Sequence, residues 1–492
     1  MRKSGILMPV ASLPGPFGIG TLGKGAYDFV DFLARAGQHV WQILPLSPTG
    51  FGDSPYQSCS AFAGSPWFID FEPLRRRGLL KKQEYAGLSF GKTPRAVDYG
   101  AVRETHFAVL RKAFARFSKW YPDDYYHFCY EQGWWLEDYA LFMTAKGLEG
   151  GRDYRQWPEA LRMHEAGAIR ELYAGHEDEV HFWKFCQYEF FAQWRALKAY
   201  ANERGVRILG DIPIYVSPDS ADVWAGRELF WLDEAGLPRD VAGCPPDYFS
   251  ADGQLWGNPL YNWARHESTH YDWWIKRVRF SLELYDAVRI DHFRGFDTYY
   301  AIPYGAPNAR KGEWRQGPGM RLWGEVLRAL PGAAIVAEDL GEMFESVRAL
   351  LKETGFPGMK VLQFAFGAGP GSDHLPHNYP ENCVAYPGTH DNTTLRAWWR
   401  TARAKEKRHA KEYLGLSAEE GETAGLLRGV LQSPARLAVV PMADWLGLGR
   451  EGRINTPGTI GGGNWRWRCE AASLSPGLAR HIRAVCERYG RI

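Results

Sequence analysis

Four short apolar runs in this 492-residue chain each lead to an acid. Asp211 follows Val206-Arg207-Ile208-Leu209-Gly210. Asp291 follows Ala287-Val288-Arg289-Ile290, with His292 next. Glu338 and Asp339 follow Ile335-Val336-Ala337. Asp391, preceded by His390, follows Val384-Ala385-Tyr386 through Pro387-Gly388-Thr389. Any one of them has an ordinary explanation, because an acid after a strand commonly caps a helix or fixes a turn. Four together, two beside a histidine and one with an arginine two residues earlier, fit a chemical purpose more economically. Two carboxyl groups suffice to cleave a glycosidic bond with retention: one attacks, the other donates a proton, and they lie about 5 Å apart. The attacking group must stay ionised, and a neighbouring arginine achieves that by charge attraction. Arg289 and Asp291 are two apart on a strand, so they share a face. The donor must hold its proton near neutral pH, which burial and neighbouring carboxylates favour.

The elements that would position these acids are strands at 5–10, 39–44, 206–210, 287–290, 333–337, 360–366 and 383–386. Nearly continuous apolar strands suit a parallel sheet covered on both faces. Helical periodicity at 27–36, 182–204, 273–284, 322–330 and 344–353 alternates with them. The pattern predicts an α/β fold, a (β/α)₈ TIM barrel occupying 1–492 as a single catalytic unit, with insertions between barrel strands. One insertion, about 65–180, reads as a helical, aromatic subdomain. The other, about 215–270, is proline-dotted and reads as a loop-rich cleft wall. The tail from about 400 reads as helical and then loop-like. On a parallel barrel, acids at strand C-termini converge on one face.

Composition narrows the partners. The formal charge of +2 and the absence of a basic stripe leave nothing to recommend nucleic acid. The one dense basic patch, Arg75-Arg76-Arg77 with Lys81 and Lys82, reads as a solvated helix end. Seven cysteines, odd in number and without zinc spacing, read as reduced thiols of a cytoplasmic protein. No signal-like start and no run of ~20 apolar residues is found, so no membrane span is expected. Aromatic residues reach 15%, with 21 tryptophans. That abundance suits stacking on sugar faces, although cores and interfaces also collect aromatics.

At the four acids the chain resembles the α-amylase superfamily. The blocks are Asp211-Ile212-Pro213-Ile214-Tyr215, Val288-Arg289-Ile290-Asp291-His292, Ala337-Glu338-Asp339-Leu340-Gly341 and Gly388-Thr389-His390-Asp391-Asn392. It is most similar to the amylomaltases, the 4-α-glucanotransferases of glycoside hydrolase family 77. Ser12-Leu13-Pro14, Phe17-Gly18-Ile19-Gly20 and Trp41-Gln42-Ile43-Leu44-Pro45-Leu46 support this. So do Ser54-Pro55-Tyr56-Gln57-Ser58, Gly253-Gln254-Leu255-Trp256-Gly257-Asn258-Pro259 and Arg453-Ile454-Asn455-Thr456-Pro457-Gly458-Thr459.

The resemblance implies Asp291 as nucleophile, Glu338 as general acid and base, and Asp391 as a hydroxyl-binding third acid. It implies that Arg289 orients Asp291, that His292 and His390 bind hydroxyls, and that Asp211, Tyr56, Ser54, Gln254, Trp256 and Asn455 line the sugar subsites. It implies α-1,4-glucans and malto-oligosaccharides as partners, with no cofactor and no metal. Other readings stand beside these. His292, His390 and Asp211 could be structural, Tyr56 and Ser54 could form a turn with Pro55, and Asn455 could be a turn former. Trp256 could be core, although its surroundings read as a polar loop. Phe182, Phe185, Phe190, Trp194 and Met8 read as core. Two other functions share the same acids: an α-1,4-glucan hydrolase, and a glucan-binding protein without turnover. Oligomeric state is not legible.

Overall fold

Eight parallel strands form a ring in the computed structural model, which describes residues 2–246 and 251–492. They are β1 (Lys3–Leu7), β2 (Val40–Gln42), β3 (Arg207–Pro213), β4 (Ala287–Asp291), β5 (Ile335–Ala337), β6 (Gly358–Val361), β7 (Cys383–Tyr386) and β8 (Leu437–Pro441). Parallel pairing runs β6-β7-β8-β1-β2-β3-β4-β5, so neighbours in sequence are neighbours in space. At the seam, Ala337 N donates to Pro357 O at 2.9 Å, and the Asp339 carboxylate accepts from Met359 N at 2.6 Å. The architecture is a (β/α)₈ barrel.

The strands are apolar because both faces are covered. Ile6, Leu7, Val288, Ile290, Val439 and Val440 are all fully buried. The outer helices bury one stripe each. In α1 (Lys24–Arg35), Ala26, Phe29, Val30 and Leu33 follow helical spacing and are buried. In α4 (Glu177–Glu203), Phe182, Phe185, Phe190 and Trp194 are core, as expected, and so is Met8 in the turn after β1. Helices Asp272–Leu284, Met320–Ala329 and Glu345–Thr354 also pack outside the ring. Before α4 lie α2 (Tyr99–Phe117) and α3 (Asp123–Leu148), and no strand occurs between β2 and β3. Gly210 is required by close approach: a Cβ there would lie 2.1 Å from the Tyr285 ring.

Three sequence expectations need amending. The tail from about 400 is not only helix and loop, for it carries β8, which completes the ring between β7 and β1. Leu-Ala-Val-Val-Pro is too short for periodicity to separate strand from buried helix. The 360–366 strand stops at Val361, and Leu362–Phe364 turns into a 3₁₀ helix. The stretch 215–270, expected to be loop-rich, includes strands Asp240–Cys244 and Gln254–Pro259. These join Thr298–Pro303 and Glu313–Gln316 in a four-stranded antiparallel sheet. Half of that sheet comes from a distant segment, which a local reading does not pair.

Candidate active site

Register brings the charges together. In the parallel ladder Asp211 of β3 faces Arg289 of β4, and both side chains point into the barrel. Arg289 Nη1 donates to Asp211 Oδ1 and Oδ2 at 2.8 and 2.7 Å, and Nη2 donates to Asp291 Oδ1 at 2.7 Å. Asp211 is completely buried, Arg289 nearly so, and the Asp291 side chain is 31% exposed. Burial opposes the charge on Arg289, but Asp211 and Asp291 outweigh it and hold the guanidinium well above its ordinary value. Burial pushes the Asp211 carboxyl above the usual range, with Arg289 pulling against it. One fixed cation thus serves two acids, and only Asp291 is reachable from the cleft.

Glu338 emerges from the end of β5. Its Oε2 accepts from His292 N and its Oε1 from Leu340 N, both at 2.7 Å. The first bond depends on His292 taking a left-handed conformation, φ 52°, immediately after Asp291. Phe293 N also donates to the Glu338 carbonyl at 3.0 Å. The backbone after one acid therefore holds the other. Burial, then the charge of Asp291, raises the Glu338 carboxyl to about 8, although Arg289 and the two amide donors pull it down. It is a protonated acid at neutral pH. His292 is lowered to about 4 by burial, so it is neutral there. Its ring meets the Trp256 edge at 4.8 Å. Trp256 Nε1 donates to Gln254 Oε1 at 3.1 Å, and both lie on a strand of the small sheet, not on the polar loop expected.

Asp391 sits on the loop after β7. Asn455 Nδ2 donates to its Oδ1 at 2.7 Å, and Asp391 Oδ2 lies 3.4 Å from His390 Nε2. Tyr56 closes the circuit. Its hydroxyl donates to Asp211 Oδ2 at 2.8 Å and lies 3.0 Å from His390 Nε2, while the two rings stack at 5.3 Å. Ser54 Oγ accepts from Tyr56 N at 3.2 Å and so shapes the turn that presents Tyr56. All twelve expected residues belong to this one connected cluster, with Gln254 joined through Trp256 and Ser54 through Tyr56.

Sequence reasoning missed four contributors. Arg453 Nη2 donates to the Asp391 carbonyl at 3.0 Å, and Trp465 lies 5.7 Å from the Tyr56 ring. The Leu340 amide is a main-chain group with no side-chain signature. Buried Arg294 donates to the Glu342 carbonyl and lies between Trp314 and Phe344, 4.2 and 4.6 Å from their rings, pinning the loop that follows Glu338. Arg294 follows His292 by two residues, and that proximity was its only signal. Among the described residues no group of three His, Cys, Asp or Glu side chains is placed to hold a metal.

A family profile described as 4-alpha-glucanotransferase, from glycoside hydrolase family 77, matches residues 8–474. The chain belongs to that family. A 4-alpha-glucanotransferase of Clostridium butyricum is 45% identical over 486 residues, covering 98% of this chain and all of that protein. One from Thermus thermophilus is 47% identical over 502 residues, covering all of this chain and 99% of its own. Among solved structures, amylomaltase from Streptococcus agalactiae in complex with acarbose superposes with a TM-score of 0.97 at 40% identity, covering both chains completely. The Corynebacterium glutamicum amylomaltase, at 19% identity and TM-score 0.77, covers all of this chain and 75% of its own and attests the fold alone. The chain is accordingly a 4-alpha-glucanotransferase of the amylomaltase type. No helix among the described residues is long and apolar enough to cross a membrane.

Proposed function

We propose that the transfer runs as a retaining double displacement between Asp291 and Glu338. The observation that carries this reading is the asymmetry between the two acids. Asp291 accepts from a buried guanidinium and faces the cleft, while Glu338 is raised to about 8. Asp291 Oδ attacks the anomeric carbon as the bridging C–O bond breaks, and Glu338 gives its proton to the departing 4-oxygen. An incoming 4-hydroxyl then loses its proton to Glu338 and attacks the same carbon, releasing Asp291. Two inversions restore the α configuration, and Glu338 ends protonated. Asp391, His390 and neutral His292 hold hydroxyls of the reacting glucose. Tyr56, Ser54, Gln254, Trp256 and Asn455 line the flanking subsites, and Asp211 holds Arg289.

The whole of 1–492 acts as one catalytic barrel. The helical 65–180 insertion and the 215–270 insertion wall the cleft and disfavour capture by water. Incubation with maltotriose tests the choice of acceptor. A ladder of longer glucans with free glucose, at constant total reducing ends, is expected. A steady rise in reducing ends with only short products would instead make the enzyme an α-1,4-glucan hydrolase.

A further inference from the structure

Helix α3 turns an aromatic face to solvent. Its outward positions include Tyr126, Tyr130 and Trp134, which are 55%, 87% and 43% exposed. They stand at i, i+4 and i+8, so their rings form a row stepping about 6 Å along the helix. Of the three, Trp134 also packs inward, against Phe62 and Phe280. The helix's buried side is supplied by Tyr125, Phe128, Trp135, Leu136 and Tyr139. A solvated helix face is ordinarily polar, and clustered exposed aromatics mark a binding surface.

We propose that this row is a second binding site for α-1,4-glucan chains, outside the catalytic cleft. It depends only on the family's substrate class, not on the roles assigned to the carboxylates. Three features favour a sugar chain. Each ring gives a flat apolar face the size of a pyranose, and the row repeats, as the polymer does. The polar tips are free: neither tyrosine hydroxyl nor Trp134 Nε1 has a hydrogen-bond partner within the described protein. Beside the row runs the His127–Glu131 pair, 3.0 Å apart, offering further groups to sugar hydroxyls. A second copy of the chain fits less well. Each ring covers about 150–250 Å² when fully buried, so three partly exposed rings fall short of the ~800 Å² per partner that a stable dimer uses.

The test is the double variant Tyr126→Ala, Tyr130→Ala, whose side chains are exposed enough to remove without opening the core. Transfer is measured with maltotriose and with long amylose, and retardation of the enzyme in amylose-containing native gels is measured alongside. The expected result is a KM for amylose raised about 2- to 10-fold per lost ring, weaker gel retardation, and maltotriose kinetics within twofold of the parent. Tyr126→Phe, Tyr130→Phe should retain most of the amylose affinity, because stacking survives. Unchanged amylose KM and retardation in the alanine variant would overturn the proposal. So would a change in sedimentation mass without a change in amylose affinity, which would make the row a self-association face.

Discussion

Two fully or almost fully buried arginines face opposite ends of the barrel and do different work. Arg289, the middle residue of β4, turns its donors toward the C-terminal side, to two carboxylates, Asp211 and Asp291. Arg491, at the N-terminal end, meets no carboxylate. It donates to the carbonyls of Leu431 at 2.6 Å, Lys3 at 3.0 Å, Ala435 at 3.0 Å and Ser433 at 2.9 Å, and so staples the chain's last residues to the starts of β1 and β8. Two acids hold Arg289 well above its ordinary value against the cost of burial, whereas burial lowers Arg491 to about 10. The same side chain becomes part of a reacting site or a structural pin according to whether its partners can themselves react. This matches the division in such barrels between a catalytic face and a stabilising one.

The largest effect that sharpens this contrast lies beside Arg289. Glu338→Gln is expected to lower transfer by about 10²–10⁴-fold, the usual worth of a positioned acid. In the parent enzyme the rate should fall as pH rises through about 8, because the donor form of Glu338 is lost there. The glutamine variant, with no proton to lose, should lack that alkaline limb. Rate–pH profiles of both proteins check the pair of expectations.

Arg289→Met comes next. It leaves two acids without their cation, so unfolding free energy should drop by about 3–5 kcal/mol. Transfer should fall by about 10²-fold or more, as Asp291 loses the guanidinium that holds its carboxylate in place. Denaturant unfolding and maltotriose kinetics measure the two together. Arg491→Met should move only the first quantity. Leaving four buried carbonyls short of a donor should cost about 2–5 kcal/mol, with kcat within twofold of the parent. Equal losses of activity in the two variants, after correction for unfolded protein, would erase the distinction between the faces.

The catalytic face was far more legible than the stabilising one. Arg289 and Asp291 announced themselves through strand alternation, and a short apolar run pointed to each acid. Strand β8 was hidden because five apolar residues between helices carry no usable period. Arg491 was invisible because its partners are backbone carbonyls brought close only when the ring closes. The same holds for the His292 and Leu340 amides on Glu338, which depend on main-chain conformation and not on residue type. Gln254 and Trp256 were read on a polar loop but lie on a strand. Their strand pairs with Asp240–Cys244, and that strand's other partner, Thr298–Pro303, lies across β4 in sequence.

The central claim is that Asp291 forms the covalent bond to glucose. The most direct measurement exposes the Glu338→Gln variant briefly to α-maltosyl fluoride, whose leaving group needs no acid, then quenches and maps peptides by mass spectrometry. A maltosyl adduct on Asp291, absent when Asp291→Asn is added, is the result expected. An adduct on Asp391, or steady fluoride release with no adduct on any carboxylate, would contradict the account.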